Sequence, residues 1–397
     1  MTKRRGKGEG TIIEREDGTF MAQISIKDPI TGARKRPTVY GSTPREIQKK
    51  LLKLRNDAES GINLSPDKTT LAGWIERWIE DYAKVNKREV TWRVYKMNFD
   101  VHIKETLIGK KVISKLTTSD LQKYYKEKLE NGRVDGSGGL SVGSVTKLHN
   151  IIRASLSQAV EERLIQVNVA KSVKLPSERE NRKEMTPLTG EQIELFLDTI
   201  KMDRYNPAYF LELGTGMRKS ELLGLKWDDV NLRKGELTIK RALVRLITGG
   251  VVIGPPKTKK SKRTISIPTT ALESLKKHKV EQDKEKEEYK DIYADDGFVF
   301  ATPLGRWIDP NVFYHDFCRK LAKTNIPHVS FHTLRHSVAT VLLERGVNLK
   351  IISDLLGHAS VAITGDTYSH VTPKARQDTA NVLDQIIGSS SAVEGKK

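Results

Sequence analysis

Residues 175–187 (LPSERENRKEMTP) are charged, bounded by prolines and free of any hydrophobic period. Such a stretch has nothing to bury, so it joins folded bodies rather than forming part of one. It sits inside a linker placed at 171–187. Directly after it, Thr189-Gly190-Glu191-Gln192 reads as a capping box that opens a new helix and a new domain. A chain of 397 residues has length for two or three domains with ordinary cores, and this break tells where one ends.

Ahead of the linker two unlike patterns follow each other. In residues 1–61 a short extended stretch at Ile12 and Ile13 runs to Asp17-Gly18, a strong hairpin signal. Phe20, Ala22, Ile24 and Ile26 then alternate with Met21, Gln23 and Ser25, as a half-buried strand does, and a third strand is expected through Arg36–Tyr40. Thr43-Pro44-Arg45-Glu46 supplies an N-cap, a proline at N1 and an acid at N3. The helix it opens is expected to run to about Ala58 with Ile47, Leu51 and Leu54 inward. Three strands and a helix behind the basic tail Lys3-Arg4-Arg5 fit a small DNA-reading module. A structural domain with a solvated basic face fits the same residues.

Residues 66–170 read as all-helical. Leu71, Trp74, Ile75, Trp78, Ile79 and Tyr82 recur at helical spacing, so both tryptophans are expected in a core rather than on a base-stacking platform. Further helices are expected over about Val90–Glu105, from a cap at Thr117 to Asn131-Gly132, and from about Val142 to Arg163. Between the last two lies a polar, glycine-rich loop at Arg133–Gly143, within reach of a nucleic acid. The domain after the linker is placed at 188–390, with a disordered tail at 391–397.

The charge of the whole chain narrows the partner. It carries 69 Lys and Arg against 50 Asp and Glu, a formal net charge of +19. That excess favours a polyanion, nucleic acid or an anionic membrane surface. No apolar run is long enough to span a bilayer, and the basic N-terminus does not lead into an apolar signal segment. Cys318 is the single cysteine, which rules out an internal disulfide and a cysteine-rich metal site and fits a reducing, cytoplasmic setting.

The residues with chemistry lie after the linker. Gly214–Glu221 (GTGMRKSE) sets Arg218 just inside a helix start, with Glu221 three residues on to hold it; a helix N-terminus beside a guanidinium suits a phosphate. Residues 254–268 (GPPKTKKSKRTISIP) place Lys257, Lys259, Lys260, Lys262 and Arg263 between extended stretches at Leu243–Ile253 and Thr264–Ile267. That arrangement predicts a basic hairpin tip, and spacing does not choose which lysine donates a proton. His332 and Arg335 share one face of an otherwise apolar helix, where an arginine is costly to bury without an anionic partner. A zinc pair of His332 and His336 is disfavoured, because Arg335 lies between them and repels a cation. Leu355-Leu356-Gly357-His358 ends a helix at a glycine, and Tyr368 follows ten residues later on a short helix expected to start at Ser360. Two arginines, two histidines, a lysine and a tyrosine match the needs of metal-free attack on a phosphodiester.

Arg218, Lys257, His332-x-x-Arg335, His358 and Tyr368, with their flanks TGMRKSELLGLKW, FHTLRHSVAT, LLGHAS and DTYSHV, resemble the tyrosine recombinase (phage integrase) family. The resemblance covers nearly the whole chain, and the N-terminal unit is similar in pattern to AP2-like arm-binding domains. It implies an arm-binding domain at 1–61, a SAM-like core-binding domain at 66–170 and a catalytic domain at 188–390. The fold implied is mixed: small α+β, then all-α, then mainly α with a small antiparallel sheet.

By that resemblance Arg218, Arg335 and His358 hold the scissile phosphate, His332 serves as general acid/base or positions Tyr368, Lys257 protonates the leaving 5′-hydroxyl, and Tyr368 is the nucleophile. Glu221 supports Arg218; Lys3, Arg4, Arg5, Lys259, Lys260 and Arg263 are DNA-contact candidates. No metal, ATP or other cofactor is implied. The partners implied are double-stranded core and arm sites, a homotetramer on DNA, and DNA-bending and excision-directionality factors, on the nucleoid of a bacterial host and without a membrane. Two other readings use the same residues: a DNA-binding regulator without cleavage, and a relaxing topoisomerase.

Overall fold

The computed structural model describes residues 10–27, 34–59, 68–177, 186–256, 259–358, 360–362 and 365. The chain divides into two units, Met1–Arg182 and Lys183–Lys397.

The first unit begins with the expected hairpin. β1 (Thr11–Glu14) pairs antiparallel with β2 (Phe20–Gln23), Ile12 opposite Ala22. In the turn between them Gly18 takes φ +75° and Asp17 accepts from the Thr19 N–H at 3.0 Å. The strand expected to continue through Ile26 stops at Gln23. Ile26–Lys27 forms a separate two-residue strand, β3, paired with β4 (Arg34–Lys35). The third long strand, β5 (Thr38–Gly41), starts later than expected and joins the free edge of β2. Pro37, which has no N–H for a ladder, precedes it and accepts from the Ile24 N–H instead.

α1 (Pro44–Glu59) packs over this sheet, with Ile47 fully buried beside Ala22 and Ile24. Its N-terminus is closed by Thr43 Oγ1, which accepts from the Glu46 N–H at 3.2 Å. The Glu46 carboxylate accepts from the Ser42 N–H at 2.8 Å, one residue ahead of the cap.

The helical part of the unit starts at α2 (Leu71–Trp78), capped by Thr70, and runs on through one π-helical turn (Ile79–Ala83) into α3 (Lys84–Asn86). α4 (Glu89–His102), α5 (Thr118–Asn131) and α6 (Val142–Glu161) complete it. Trp74 and Trp78 lie in the core with Phe99, Tyr125 and Leu156, and the Trp74 indole N–H donates to the Ser155 carbonyl at 2.8 Å. The tryptophans are core residues, as their spacing predicts.

The second unit is mainly helical around two small antiparallel sheets. α7 (Gly190–Thr199) opens with the Thr189/Gln192 capping box, and α8 (Asn206–Thr215) and α9 (Lys219–Leu223) follow. β6 (Val230–Asn231), β7 (Glu236–Thr238) and β10 (Thr264–Ser266) form one sheet in the order β10-β7-β6. β8 (Ala242–Arg245) and β9 (Val251–Gly254) form a hairpin of their own. α10 (Thr269–Glu288), α11 (Pro310–Leu321), α12 (Phe331–Glu344) and α13 (Leu349–Leu356) follow. An aromatic knot of Phe196, Tyr209, Phe313, Phe317 and Phe331 sits at its centre, Tyr209 stacked on Phe313 at 5.4 Å.

One expectation fails here. Leu243–Ile253 is not a single extended stretch: Gly249 and Gly250, both at positive φ, turn it back on itself as β8-β9. The basic segment after β9 therefore is not a hairpin tip; it crosses from one sheet to another, because β10 pairs with β7. Among the described residues no helix is long and apolar enough to cross a membrane.

Candidate active site

Four local structures bring the polar residues together. α8 ends at Gly216, in the left-handed region at φ +61°, with its N–H donated to the Glu212 carbonyl. A side chain there would also strike Leu356, 2.6 Å from where a Cβ would stand. The chain leaves this cap extended, so Arg218 is the N-cap of α9, one position before the helix rather than inside it. α12 carries His332 and Arg335 one turn apart. α13 ends at Gly357 (φ +66°), and His358 follows with its N–H on the Ser353 carbonyl at 3.1 Å.

The last carbonyls of α13 organise three arginines. Leu355 O accepts from Arg263 Nε at 2.7 Å, Leu356 O from Arg335 Nη2 at 2.6 Å, and Gly357 O from Arg218 Nη2 at 3.3 Å. A helix C-terminus leaves such carbonyls without intrahelical donors and carries partial negative charge, so it is a natural seat for cations. Arg335 also donates to the Gly216 carbonyl at 2.6 Å and is only 2% exposed.

Among the described residues, Glu221 supplies the one carboxylate hydrogen-bonded to these arginines. It accepts from Arg218 Nη1 at 2.8 Å, from the Arg218 backbone N–H at 3.1 Å and from Arg263 Nη2 at 3.2 Å. Burial raises its carboxyl, but Arg263 and then Arg218 outweigh that and hold it below the usual range, so it is ionised. This Arg218–Glu221 pair is therefore not the weak surface ion pair that its spacing usually signals: Glu221 is 2% exposed.

The site is rich in positive charge and short of anions. Burial, then Arg218 and Arg263, push Arg335 down to about 9, which still leaves it charged at neutral pH. Burial, then Arg335 and Arg218, lower His332. Burial and the same two arginines pull His358 down to about 4. Both imidazoles are neutral at pH 7. The His332 ring meets His336 edge-on at 4.7 Å between centroids. A cavity of about 290 Å³ opens beside them, lined by Met217, Lys219, Tyr314, Ser330, Phe331, His332 and Arg335. Such a set of neutral imidazoles and convergent guanidiniums, with room next to it, suits a phosphate and the transfer of protons around it.

The structure thus brings together Arg218, Glu221, His332, Arg335 and His358. Lys257, Tyr368, Lys3, Arg4 and Arg5 lie outside the described residues, and at the expected final helix only residues 360–362 and 365 are described, with 361, 362 and 365 helical. Lys259 begins a 3-10 turn (Lys259–Ser261) and Lys260 is exposed on it. Arg263, expected at the DNA, is instead turned inward: its side chain is 9% exposed and all three guanidinium nitrogens donate to protein.

Three residues at the site were not anticipated from sequence. Lys219 donates to the Pro310 carbonyl at 3.1 Å and lies 5.1 Å over the Tyr314 ring, both lining the cavity. Glu212 is fully buried, with neither carboxyl oxygen hydrogen-bonded. Burial pushes it well above the usual carboxylate range, against the pull of Arg335. A run of three apolar residues before Glu212 (Tyr209-Phe210-Leu211) was the available sign that this helix is buried on most sides.

The chain matches two family models: the phage integrase family over residues 187–375, and the phage integrase N-terminal SAM-like domain over residues 70–129. Together they cover more than half of it, and the chain belongs to the phage integrase family, the tyrosine recombinases. Among its relatives is a XerC-like tyrosine recombinase of Caldanaerobacter subterraneus subsp. tengcongensis, 29% identical over 92% of this chain and 96% of the other. The ICEBs1 integrase of Bacillus subtilis (strain 168) is 26% identical over 95% of this chain and 100% of its own. The fold is that of solved integrases: the Tn1549 transposon integrase in complex with circular intermediate DNA superposes with a TM-score of 0.62, at 21% identity, over 79% of this chain and 100% of that one.

Proposed function

We propose that the chain is the integrase of a mobile genetic element, phage or conjugative, that cuts and rejoins DNA at specific sites through a tyrosine nucleophile. One observation carries the reading: Arg218 and Arg335 converge on the same helix end, held by backbone carbonyls and beside two neutral histidines, with more positive charge than the site's own carboxylates neutralise. Guanidiniums preset in this way can donate to the two non-bridging oxygens of a phosphodiester without reorganisation.

In the chemistry that follows, the Tyr368 oxygen attacks the scissile phosphorus and the bond to the 5′-oxygen breaks. A 3′-phosphotyrosyl link forms and the 5′-hydroxyl leaves with a proton from Lys257. His332 takes or positions the tyrosine proton, and Arg218, Arg335 and His358 stabilise the pentacoordinate state. Glu221 aims Arg218. The 5′-hydroxyl of another strand then attacks the phosphotyrosine and releases Tyr368, so the bond energy is conserved and no nucleotide is consumed. Two such rounds pass through a Holliday junction and need four protomers on the DNA. Residues 1–61 serve arm sites, 66–170 core sites, 171–187 link them to the catalytic residues 188–390, and DNA-bending and excision-directionality factors assist. The setting is the cytoplasm of a bacterial host.

The test is a suicide-substrate assay on nicked duplex from the ends of the encoding element. A covalent protein–DNA band is expected, absent in Tyr368→Phe while DNA binding persists. Binding without a band in the unaltered protein, alone and with host extract, would overturn strand cleavage in favour of a regulator. A band accompanied by relaxation of supercoils and no joining to a second duplex would favour a topoisomerase.

A further inference from the structure

Arg263 stands one residue ahead of β10, on the inward face it shares with Ile265 and Ile267. It is a charged group in a position that the strand's alternation assigns to the core, and it is satisfied there on three sides. Nη2 meets Glu221 Oε2 at 3.2 Å, Nε meets Leu355 O at 2.7 Å and Nη1 meets Ser261 O at 3.3 Å. The first partner is the carboxylate that holds Arg218 by both its side chain and its backbone. The second is a carbonyl of the last turn of α13, three residues before His358.

Gly357 completes the contact. A Cβ there would stand 2.8 Å from Arg263 Nη1 and 3.2 Å from its Cδ and Cζ. The turn that carries His358 is therefore packed flat against the Arg263 side chain as well as bonded to it. Among the described residues, the other side chain that ties α9 to the end of α13 is Arg218 itself, through its bond to Gly357 O at 3.3 Å, the longest of the three arginine contacts with that helix end.

We infer that Arg263 is a positioning residue for strand cleavage: it locks Glu221, which aims Arg218, to the α13 terminus, which presents His358, so the phosphate seat stands assembled before DNA arrives. The inference rests on the recombinase reading above. It replaces the groove contact that the basic run suggested for this residue. Arg263 touches no reacting atom; it acts through Arg218 and His358. A misplacement of about 1 Å at such groups costs on the order of 10²-fold in rate.

The test uses the full chain with Arg263→Ala and Arg263→Lys on nicked suicide duplexes, one with the natural scissile phosphate and one with a methylphosphonate there. The methylphosphonate is uncharged, so it asks less of the arginines. For Arg263→Ala, affinity for intact duplex is expected within about 3-fold of the parent and single-turnover adduct formation about 10²-fold slower. On the methylphosphonate the deficit is expected to shrink below about 10-fold, since charge neutralisation is what was lost. Arg263→Lys, which keeps the charge against Glu221 but not the fork, is expected to recover part of the rate. Equal deficits on the two substrates would mean general damage to the fold, and weaker binding with unchanged cleavage would mean a groove contact; either overturns the inference alone. No Tyr368-dependent adduct from the unaltered protein would bring down the recombinase reading and the inference with it.

Discussion

Arg218 and Arg335 donate to adjacent carbonyls of one helix end, Gly357 at 3.3 Å and Leu356 at 2.6 Å, though they come from different elements more than a hundred residues apart in the chain. Two guanidiniums so close repel one another, and the α13 terminus with Glu221 offsets only part of that. The imbalance is what a phosphate would relieve, and it sets the direction of several measurable effects.

Glu221 is the first place to look. Its carboxylate answers both Arg218 and Arg263 and is 2% exposed. Glu221→Ala removes one partner of a buried ion network and leaves two cations facing each other, so it is expected to cost about 3–5 kcal/mol in chemical denaturation. Glu221→Gln, which still accepts a hydrogen bond, is expected to lose less. A loss below about 1 kcal/mol for the alanine variant would mean that the arginines do not depend on it.

The histidines set a pH dependence. His358 is held to about 4 and His332 is lowered, against an unfolded value of 6.5, so the folded site refuses protons that the unfolded chain accepts. Their contribution to stability is therefore complete above pH 6.5 and falls away as the pH drops toward 4. An entering phosphate opposes the arginines and raises both values, so DNA binding takes up protons. Affinity at fixed ionic strength, measured on Tyr368→Phe, is expected to rise from pH 7.5 to 5.5. A flat profile there, unchanged in His358→Asn, would contradict the site's electrostatics.

Glu212 gives the opposite sign. A carboxyl that burial pushes well above its unfolded value of 4.5 penalises folding increasingly as the pH rises above that value. Glu212→Gln mimics the protonated form, and its melting temperature relative to the parent is expected to be higher at pH 8 than at pH 5. A variant that loses more stability at pH 8 would show instead an ionised Glu212 paired with Arg335.

In the helical part of the first unit, Trp74 tests whether the tryptophans are structural. It is fully buried and bonded to the Ser155 carbonyl. Trp74→Ala is expected to cost about 3–5 kcal/mol by denaturation. Trp74→Phe is expected to lower stability less while leaving DNA affinity within about 2-fold, a margin that base stacking worth roughly 1–3 kcal/mol would exceed.

Salt reports on the partner. With phosphate contacts dominating, the logarithm of affinity for duplex is expected to fall linearly with the logarithm of salt, by about 0.9 per neutralised phosphate. Affinity that barely changes between 50 and 200 mM salt, the range over which phosphate-bound proteins lose most, would argue against a nucleic-acid partner.

Local chemistry decided much of this protein within its sequence. The hairpin at Asp17-Gly18, the caps at Thr43, Thr117 and Thr189, the tryptophan-bearing core helix and the glycine before His358 are all written in short-range residue patterns, because capping, turns and periodicity depend on neighbours a few positions away. The pairing of Arg218 with Glu221, and the placement of His332 and Arg335 one turn apart on α12, are equally short-range and equally legible. The breaks in the strands were less so: Pro37 delays β5, and Gly249-Gly250 folds one expected strand into two, so the basic run after it was given the wrong neighbours.

Tertiary structure alone decided the rest. Nothing in the order of residues says that Arg218, Arg263 and Arg335 would meet on three successive carbonyls of α13, since that requires α9, β10 and α12 to dock around one helix end. Nor did charge alone tell Arg263 from Lys260: one is turned into the core by the alternation it shares with Ile265 and Ile267, the other stands in solvent. Charged residues are placed by the partners that burial leaves available to them, and those partners are settled only when distant segments pack.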